Sequence, residues 1–593
     1  MQELELPEQE FSLKNYFIPF TAIKAVHILV IIGLLLFVFS LFNNFVGDDN
    51  TQIIDNPEIQ SLQNLPVFYF ENRLTSGGQA RLGGEYYKPF LDTSYAATYA
   101  LFGPEPFAYH FIQLILFITN ACLVFLFLKN FFTIRFSFIL SLLFLIHPIN
   151  SEAALYIADT QDVLFFFFGM CSLLIITKFQ DHKALIAASF LILLSCLSKE
   201  TGILFIPTVL LYAFLFKKKS FYSLLGYLFI SVFAYSLLRI HALGLFPNPM
   251  ITAPIDRLNF GEKMINIPSM FLYYLKTFFY PVALSGSWQW AYTHIDFATF
   301  ILPFILDLLF LVVICGFAGI LQRKNSKKLF TYYIFFLYWF LIGVFFHMQF
   351  FPLDQTVADR WFYFPIFGLL GMLGVLLTFY KVNLQHKWIS LAVILLFSLL
   401  SLRTFIRSFD FRNDFILATH DEQVSKDSYN AEYIISYTYY EEGDLKQAKI
   451  HAERSIQLFP YITNYTNLGA IESRLGDYKD AKNAYIKAMQ YGDDALPYEN
   501  LASLSFVYGS IPQNVGFIKN TALKKFPQDG VLWYDLAILE YINGNKTDAK
   551  DAIDKANLYG EGANAGFIEQ IINSGKSLRI QVQNGNVTFL TQK

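Results

Sequence analysis

Long apolar runs separated by short basic clusters constrain this chain more than any other feature. Stretches long enough, or nearly so, to cross a bilayer lie near residues 25–45, 108–128, 134–148, 163–178, 184–198, 202–216, 221–240, 299–321, 329–347, 362–380 and 388–406. A helix needs about 20 apolar residues to span, because inside the bilayer its backbone has no water to bond. The shorter runs therefore draw on their flanks. Sixty-six phenylalanines and a hydrophobic share of 55% are more than a soluble core can hide, so the chain reads as a polytopic membrane protein. A net charge of −3 offers no basic surface for nucleic acid.

The basic clusters set the orientation. Lys129 with Arg135, Lys178 with His182 and Lys183, Lys217–Lys219, the run QRKNSKK from Gln322, and Lys381 with Lys387 belong in the cytoplasm by the positive-inside rule. They alternate correctly if the N-terminus is cytoplasmic too. The acidic start MQELELPEQEF ahead of an apolar run reads as leading into an uncleaved first span. Residues 264–285 are apolar, but a crossing there would carry QRKNSKK outside. They are expected in the outer interface, where Lys276 and Pro281 fit. The eleven spans that remain place the C-terminal region outside. Arg403, Arg407 and Arg412 then break the charge rule, and a phosphate to bind would account for them. Cys122, Cys171, Cys196 and Cys315 all lie in apolar runs without a CxxC pair, so they read as small buried hydrophobes rather than disulfides or zinc ligands.

After residue 410 the charges gather, and after 430 the sequence repeats. Leu468, Leu501 and Leu536 are each followed by a small residue, Gly443, Gly476, Gly509 and Gly544 recur, and GDLKQA, GDYKDA and GNKTDA share one register. A period near 34 residues with a turn glycine and a small-residue stripe is the tetratricopeptide pattern, a solenoid of helical hairpins. The expected division is a membrane domain 1–410, a linker 411–429, about four repeats over 430–563 and a capping tail 564–593, with the alternation around Asn584-Gly585 predicting a β-hairpin. The fold class is thus all-α: a membrane helix bundle, then an α-solenoid.

Candidate chemistry falls in the outer segments. Asp48 and Asp49 follow the first span; one acid suffices to cap a helix, so two together suggest a reacting site. Of the pair, Asp49 is the expected base. The loop they open continues through YYKPF, with Lys88. HPINSEAALYIADTQD carries His147, Glu152, Asp159 and Asp162; Glu152 and Asp159 stand two turns apart and would share a face if the segment is helical. These residues offer ligand atoms for a divalent metal, although their spacing matches no known ligand set. SKET supplies Lys199 and Glu200, and VADRWFYFP supplies Asp359 and Arg360, a cation suited to a lipid phosphate. Asp307, inside a span, is a further candidate by its cost alone.

FVGDDNTQIIDNP, YYKPF, FGPEPFAYH, HPINSEAALYIADTQDVL, SKETG, KTFFYPVALS, VADRWFYFP and RSFDFRND, in this order and ahead of tetratricopeptide repeats, resemble the transmembrane and tetratricopeptide-repeat (TMTC) proteins, a GT-C glycosyltransferase branch related to protein O-mannosyltransferases. The sequence departs from the family pattern at Gln161 and at Ser285-Gly286-Ser287-Trp288. The resemblance implies an inverting transfer of a sugar, mannose first, from a polyprenyl-phosphate donor to a hydroxyl acceptor such as protein Ser/Thr outside the cytoplasm. Asp48 or Asp49 would be the base; Lys199, Arg360 and Arg403 would face the lipid phosphate. The repeats would present a polypeptide or envelope acceptor. The rival readings are an O-antigen-ligase-like transferase and a membrane-anchored repeat scaffold without catalysis.

Overall fold

The computed structural model describes residues 20–71, 86–245, 251–350, 353–561 and most of 566–592. The acidic N-terminal segment and the Asn584-Gly585 turn lie outside the described residues. The chain divides into two units, one ending at His420 and one beginning at Asp421.

The first unit is a helix bundle. Among the described residues seven of its helices are long and apolar enough to cross a membrane: Ala22–Phe42, Pro106–Leu128, Ile157–Lys178, Lys218–Leu243, Phe297–Arg323, Lys327–Phe346 and Lys387–Arg407. The pair Ile134–Ile146 and Pro148–Leu155 is bent by 55°. The bend follows from Pro148, whose ring and missing N–H break the helix after Ile146. Three shorter apolar helices, His182–Ser198, Glu200–Phe216 and Pro365–Phe379, occupy the other apolar runs. Local chemistry sets the boundaries: Thr133 and Asp181 accept the N–H groups of Phe136 and Ala184 as N-caps. The periphery is apolar outward, as at Phe229, Leu309 and Ile394, each more than half exposed. In lipid that exposure carries no penalty. The protein is an integral membrane protein.

Inside, aromatic rings fill the bundle. Trp339 packs on Phe364, Phe367 and Phe205 at centroid distances of 4.9, 4.6 and 5.5 Å. Gly368 and Gly371 let helix Pro365–Phe379 lie directly on Lys327–Phe346; a Cβ at either would run into Phe340 or Phe336. The stretch expected at the interface forms an amphipathic helix, Phe260–Phe279. An Asn259–Glu262 capping box starts it, Phe271, Tyr274 and Leu275 are buried and Lys276 is exposed.

In the second unit the described residues form four helical hairpins: Tyr429–Glu442 with Leu445–Leu458, Ile462–Leu475 with Tyr478–Ala488, Leu496–Leu504 with Ile511–Phe517, and Gly530–Ile542 with Lys546–Leu558. The recurring glycines sit at the hairpin turns with φ between +86° and +96°, a conformation costly to any residue with a Cβ. In the first hairpin Asp444 then caps the next helix at Gln447 N–H. The third hairpin, which lacks the GDxxxA register, closes differently: the Asn514 amide donates to the carbonyls of Ser505 and Tyr508. Close approach comes from the small stripe. A Cβ on Gly469 would stand 2.5 Å from the Tyr485 ring. The tail pairs Ser577–Gln583 antiparallel with Asn586–Gln592.

The boundary between the two units falls inside the stretch read as a linker, 411–429. Its residues 414–424 form a helix, Asp414–Val424, whose first side chain is bonded into the membrane unit.

Candidate active site

The acid pair stands on a loop held from three sides. Three successive amides each find a different side-chain acceptor: Val46 N–H donates to Asp49 Oδ2 at 3.1 Å, Gly47 N–H to Asp414 Oδ1 at 2.5 Å, and Asp48 N–H to Tyr156 Oη at 2.8 Å. Gly47 has φ +52°, and a Cβ there would lie 2.8 Å from Tyr156 Oη, so only glycine fits. Asp49 is fully buried; its second oxygen accepts Ala158 N–H at 2.7 Å, tying the loop to the HPINSEAALYIADTQD segment. Burial pushes the Asp49 carboxyl well above its ordinary range. The two backbone donors pull it down, and the charges of Asp48 and Asp414 push it further up. Asp48, by contrast, is exposed. The two acids therefore differ in kind: Asp49 is a buried tie between segments, and Asp48 faces out.

Beyond the loop lies a caged arginine. Arg360 Nη1 meets Glu152 Oε1 at 2.6 Å, its backbone N–H donates to Glu152 Oε2 at 2.9 Å, Nε stands 3.3 Å from Asp159 Oδ1, and Nη2 stands 3.6 Å from Asp354. Burial works against its charge, but Asp159, Glu152, Asp354 and Asp162 outweigh it and hold the guanidinium protonated. Glu152 and Asp159 do reach a common partner, though not along one helix: the chain breaks at Tyr156 between helix Ser151–Leu155 and the turn Ile157–Asp159. Segment 355–357 beside Trp288 fixes this region, with Thr356 N–H donating to Trp288 O at 2.9 Å. The Tyr273 hydroxyl bonds the Asp359 carboxylate.

Other expected residues are placed as follows. Lys199 is bound by both oxygens of Asp162, at 2.8 and 2.7 Å. Glu200 pairs with Arg239 Nε at 3.1 Å, both about one-third exposed. Lys88 is buried with its ammonium 4.2 Å above the Tyr86 ring. His147 Nδ1 accepts Ile149 N–H and its Nε2 lies 2.9 Å from Phe278 O, which leaves neither ring nitrogen for a metal. Arg403 is half-buried, remote in its bonding, and donates to Val282 O at 3.1 Å. Among the described residues no three His, Cys, Asp or Glu side chains converge as metal ligands.

Four participants escaped sequence reasoning. Asp354 and Asp414 looked like ordinary loop acids, and Tyr86 like one aromatic among many. Arg239 had a signal: a charged residue one turn inside the end of an apolar run is costly and asks for a reason. Tyr86 feels several of the site's charges. Burial raises its phenol well above the ordinary range, as do the charges of Asp354, Asp48 and Glu200, with Arg360 pulling the other way.

Residues 89–241 match the family described as dolichyl-phosphate-mannose-protein mannosyltransferase. The protein O-mannosyl-transferase F38B6.6 of Caenorhabditis elegans is 24% identical over 74% of this chain and 63% of its own length. Human protein O-mannosyl-transferase TMTC1 is 30% identical over 29% of this chain and 21% of its own. The chain thus spans less than two-thirds of the length of these curated relatives. ArnT from Cupriavidus metallidurans aligns with 14% identity over 84% of this chain and 91% of that one, at a TM-score of 0.35.

Proposed function

From a chain similar to the protein O-mannosyl-transferase F38B6.6 over 74% of its length and to TMTC1 over 29%, we propose a membrane glycosyltransferase of the GT-C type. It moves a sugar, mannose in the first instance, from a polyprenyl-phosphate donor to a Ser/Thr hydroxyl of a polypeptide. Eleven spans with a cytoplasmic N-terminus put the acid loop, the Arg360 cage and the repeats on the extracytoplasmic side, as the basic clusters demand. The repeats present the acceptor polypeptide.

One observation carries the reading: an exposed carboxylate, Asp48, is presented by a loop in which its own amide and the two preceding ones are all tied down. A base must be held still and must be reachable. Asp48 meets both conditions; buried Asp49, with both oxygens occupied by backbone donors, meets only the first. The base is therefore assigned to Asp48, and Asp49 to positioning it. The acceptor oxygen attacks the anomeric carbon, its proton passes to Asp48, and the bond from that carbon to the phosphate oxygen breaks on the opposite face, inverting the configuration.

The leaving polyprenyl phosphate needs a cation with charge to spare. Arg360 is caged by three carboxylates and Lys199 is chelated by Asp162, so both serve the architecture. Arg239 is better placed. Its guanidinium is partly exposed, only its Nε is engaged with Glu200 among the described residues, and it sits on a helix with an apolar outer face suited to an isoprenoid tail.

The test is sugar transfer by the purified protein from mannosyl-phosphoryl-polyprenol to a pool of Ser/Thr peptides. Transfer by the parent and a loss of about 100-fold or more in Asp48→Asn, with folding intact, is the expected outcome. Equal rates in parent and variant remove Asp48 from the mechanism.

A further inference from the structure

The acid loop is not closed by its neighbours in sequence. Asp414, far along the chain, accepts Gly47 N–H at 2.5 Å and the Asn50 side-chain amide at 3.2 Å. The six residues before it join in. Arg412 O accepts Asn44 N–H at 3.0 Å, Ser408 O accepts the Asn43 amide at 3.2 Å, and the Phe411 ring lies 6.4 Å from that of Tyr156, whose hydroxyl holds Asp48 N–H. Segment 408–414 thus runs alongside 43–50 and bonds it at four points. A backbone N–H is a fixed donor that must be paired when shielded from water, and a carboxylate is its strongest acceptor. Gly47 N–H and the Asn50 side-chain amide are held by the Asp414 carboxylate and Asn44 N–H by the Arg412 carbonyl, so the loop's path depends on this clasp.

We propose that Asp414 is a positioning residue for the transfer reaction: it fixes the backbone of the acid loop, and through it the direction of the Asp48 carboxylate. The proposal rests on the reading of Asp48 as base. Asp414 acts through Gly47 and Asn50 and touches neither donor nor acceptor. Two features argue against a merely stabilising contact. The bonded amide belongs to the residue next to the base. The clasp also engages the loop at Asn43 and at Asn50, which brackets Asp48. Because Asp414 opens helix Asp414–Val424, the chain leading out of the membrane unit forms one wall of the acid loop.

Two variants separate the possibilities. Asp414→Ala removes both acceptors. Asp414→Asn keeps one oxygen for Gly47 N–H and a side chain that Asn50 can meet by turning its amide. With the donor and peptides above, Asp414→Ala is expected to lower kcat by about 100-fold at an unchanged donor KM, the size of effect that a misplacement of about 1 Å has on a positioned group. Asp414→Asn should recover to within about 10-fold of the parent, because one oxygen still receives the amide. Hydrogen exchange of peptides covering 43–50 should quicken by about 10- to 100-fold in Asp414→Ala and far less in Asp414→Asn. Parental kcat in Asp414→Ala, or unchanged exchange over 43–50, overturns the proposal. So does a rise in donor KM with kcat preserved, since that assigns Asp414 to binding. If Asp414→Ala does not fold, Asp414→Asn decides: exchange as fast and kcat as low as in an unfolded control would mean that the residue serves the fold alone. If the parent itself transfers no sugar while the exchange pattern holds, the clasp stands and the reading of the reaction fails.

Discussion

Gly47→Ala tests the acid loop most directly. Two costs add. Alanine at φ +52° pays about 1 kcal/mol for a left-handed backbone. Its Cβ would also lie 2.8 Å from Tyr156 Oη and 3.5 Å from the ring carbon that bears it, so the clash is with the hydroxyl alone. Restoring ordinary contact moves that oxygen by roughly half an ångström, which takes it out of good range of Asp48 N–H and forfeits about 1 kcal/mol more. The sum, about 2 kcal/mol, corresponds to a local opening some 30-fold more frequent. Hydrogen exchange over 43–50 reads that opening, and the transfer rate should fall with it. The decisive arm is Tyr156→Phe. Without the hydroxyl the new Cβ meets only ordinary contacts, so in the Phe background the glycine substitution should cost about 1 kcal/mol, the backbone share alone. A coupling of 1 kcal/mol or more in the double-mutant cycle is therefore expected. Additive effects, within about 0.5 kcal/mol, would refute the argument that Tyr156 sets the space around Gly47.

Further outcomes follow from other sites. Gly202→Ala should disable the SKETG turn, because a Cβ would strike the Ser195 carbonyl and approach Cys196 N at 2.7 Å; transfer and detergent stability should drop together, whereas Gly226→Ala, with open space around it, should change neither. In the repeats, burial raises Asp535 to about 8, with the Ser503 hydroxyl lowering it and the charges of Asp529 and Glu561 adding to the rise. A carboxyl raised in the folded state favours the fold in its protonated form: that stability is complete below the ordinary carboxylate range and is lost as pH climbs through about 8. Asp535→Asn cannot ionise and still accepts from Ser503, so helix Gly530–Ile542 should be better protected than in the parent at pH 9 and similar at pH 5. Hydrogen exchange corrected for intrinsic rates checks this, and an unchanged pH slope counts against it.

The order of helices was legible because hydrophobic period and charge spacing are local properties. Each apolar run expected to cross is a helix, and the turn glycines at Gly443, Gly476, Gly509 and Gly544 marked the hairpins by a conformation that few other residues tolerate. The role of a charged residue was less legible, because it depends on partners distant in sequence. Arg360 read as a free cation until Glu152, Asp159 and Asp354 were seen around it. His147 looked like a metal ligand beside acids, but backbone groups take both of its nitrogens. Asp48 and Asp49 are neighbours in sequence and opposites in burial, a difference that only the packing of Ala158 against the loop creates. Asp414 lay in a stretch that composition alone marks as linker.

The clasp between 43–50 and 408–414 also bears on biosynthesis. The acid loop is made early, directly after the first span, yet the carboxylate that closes it follows only after the last. While the intervening helices are being inserted, Gly47 and Asn50 have no Asp414 to bond, and the loop around Asp48 cannot take its final path. A nascent chain stalled before residue 414 would therefore carry both acids and most of the bundle without the bonds that Asp414 gives their loop. Bonds between residues so far apart make completion of the membrane unit the step that arms it.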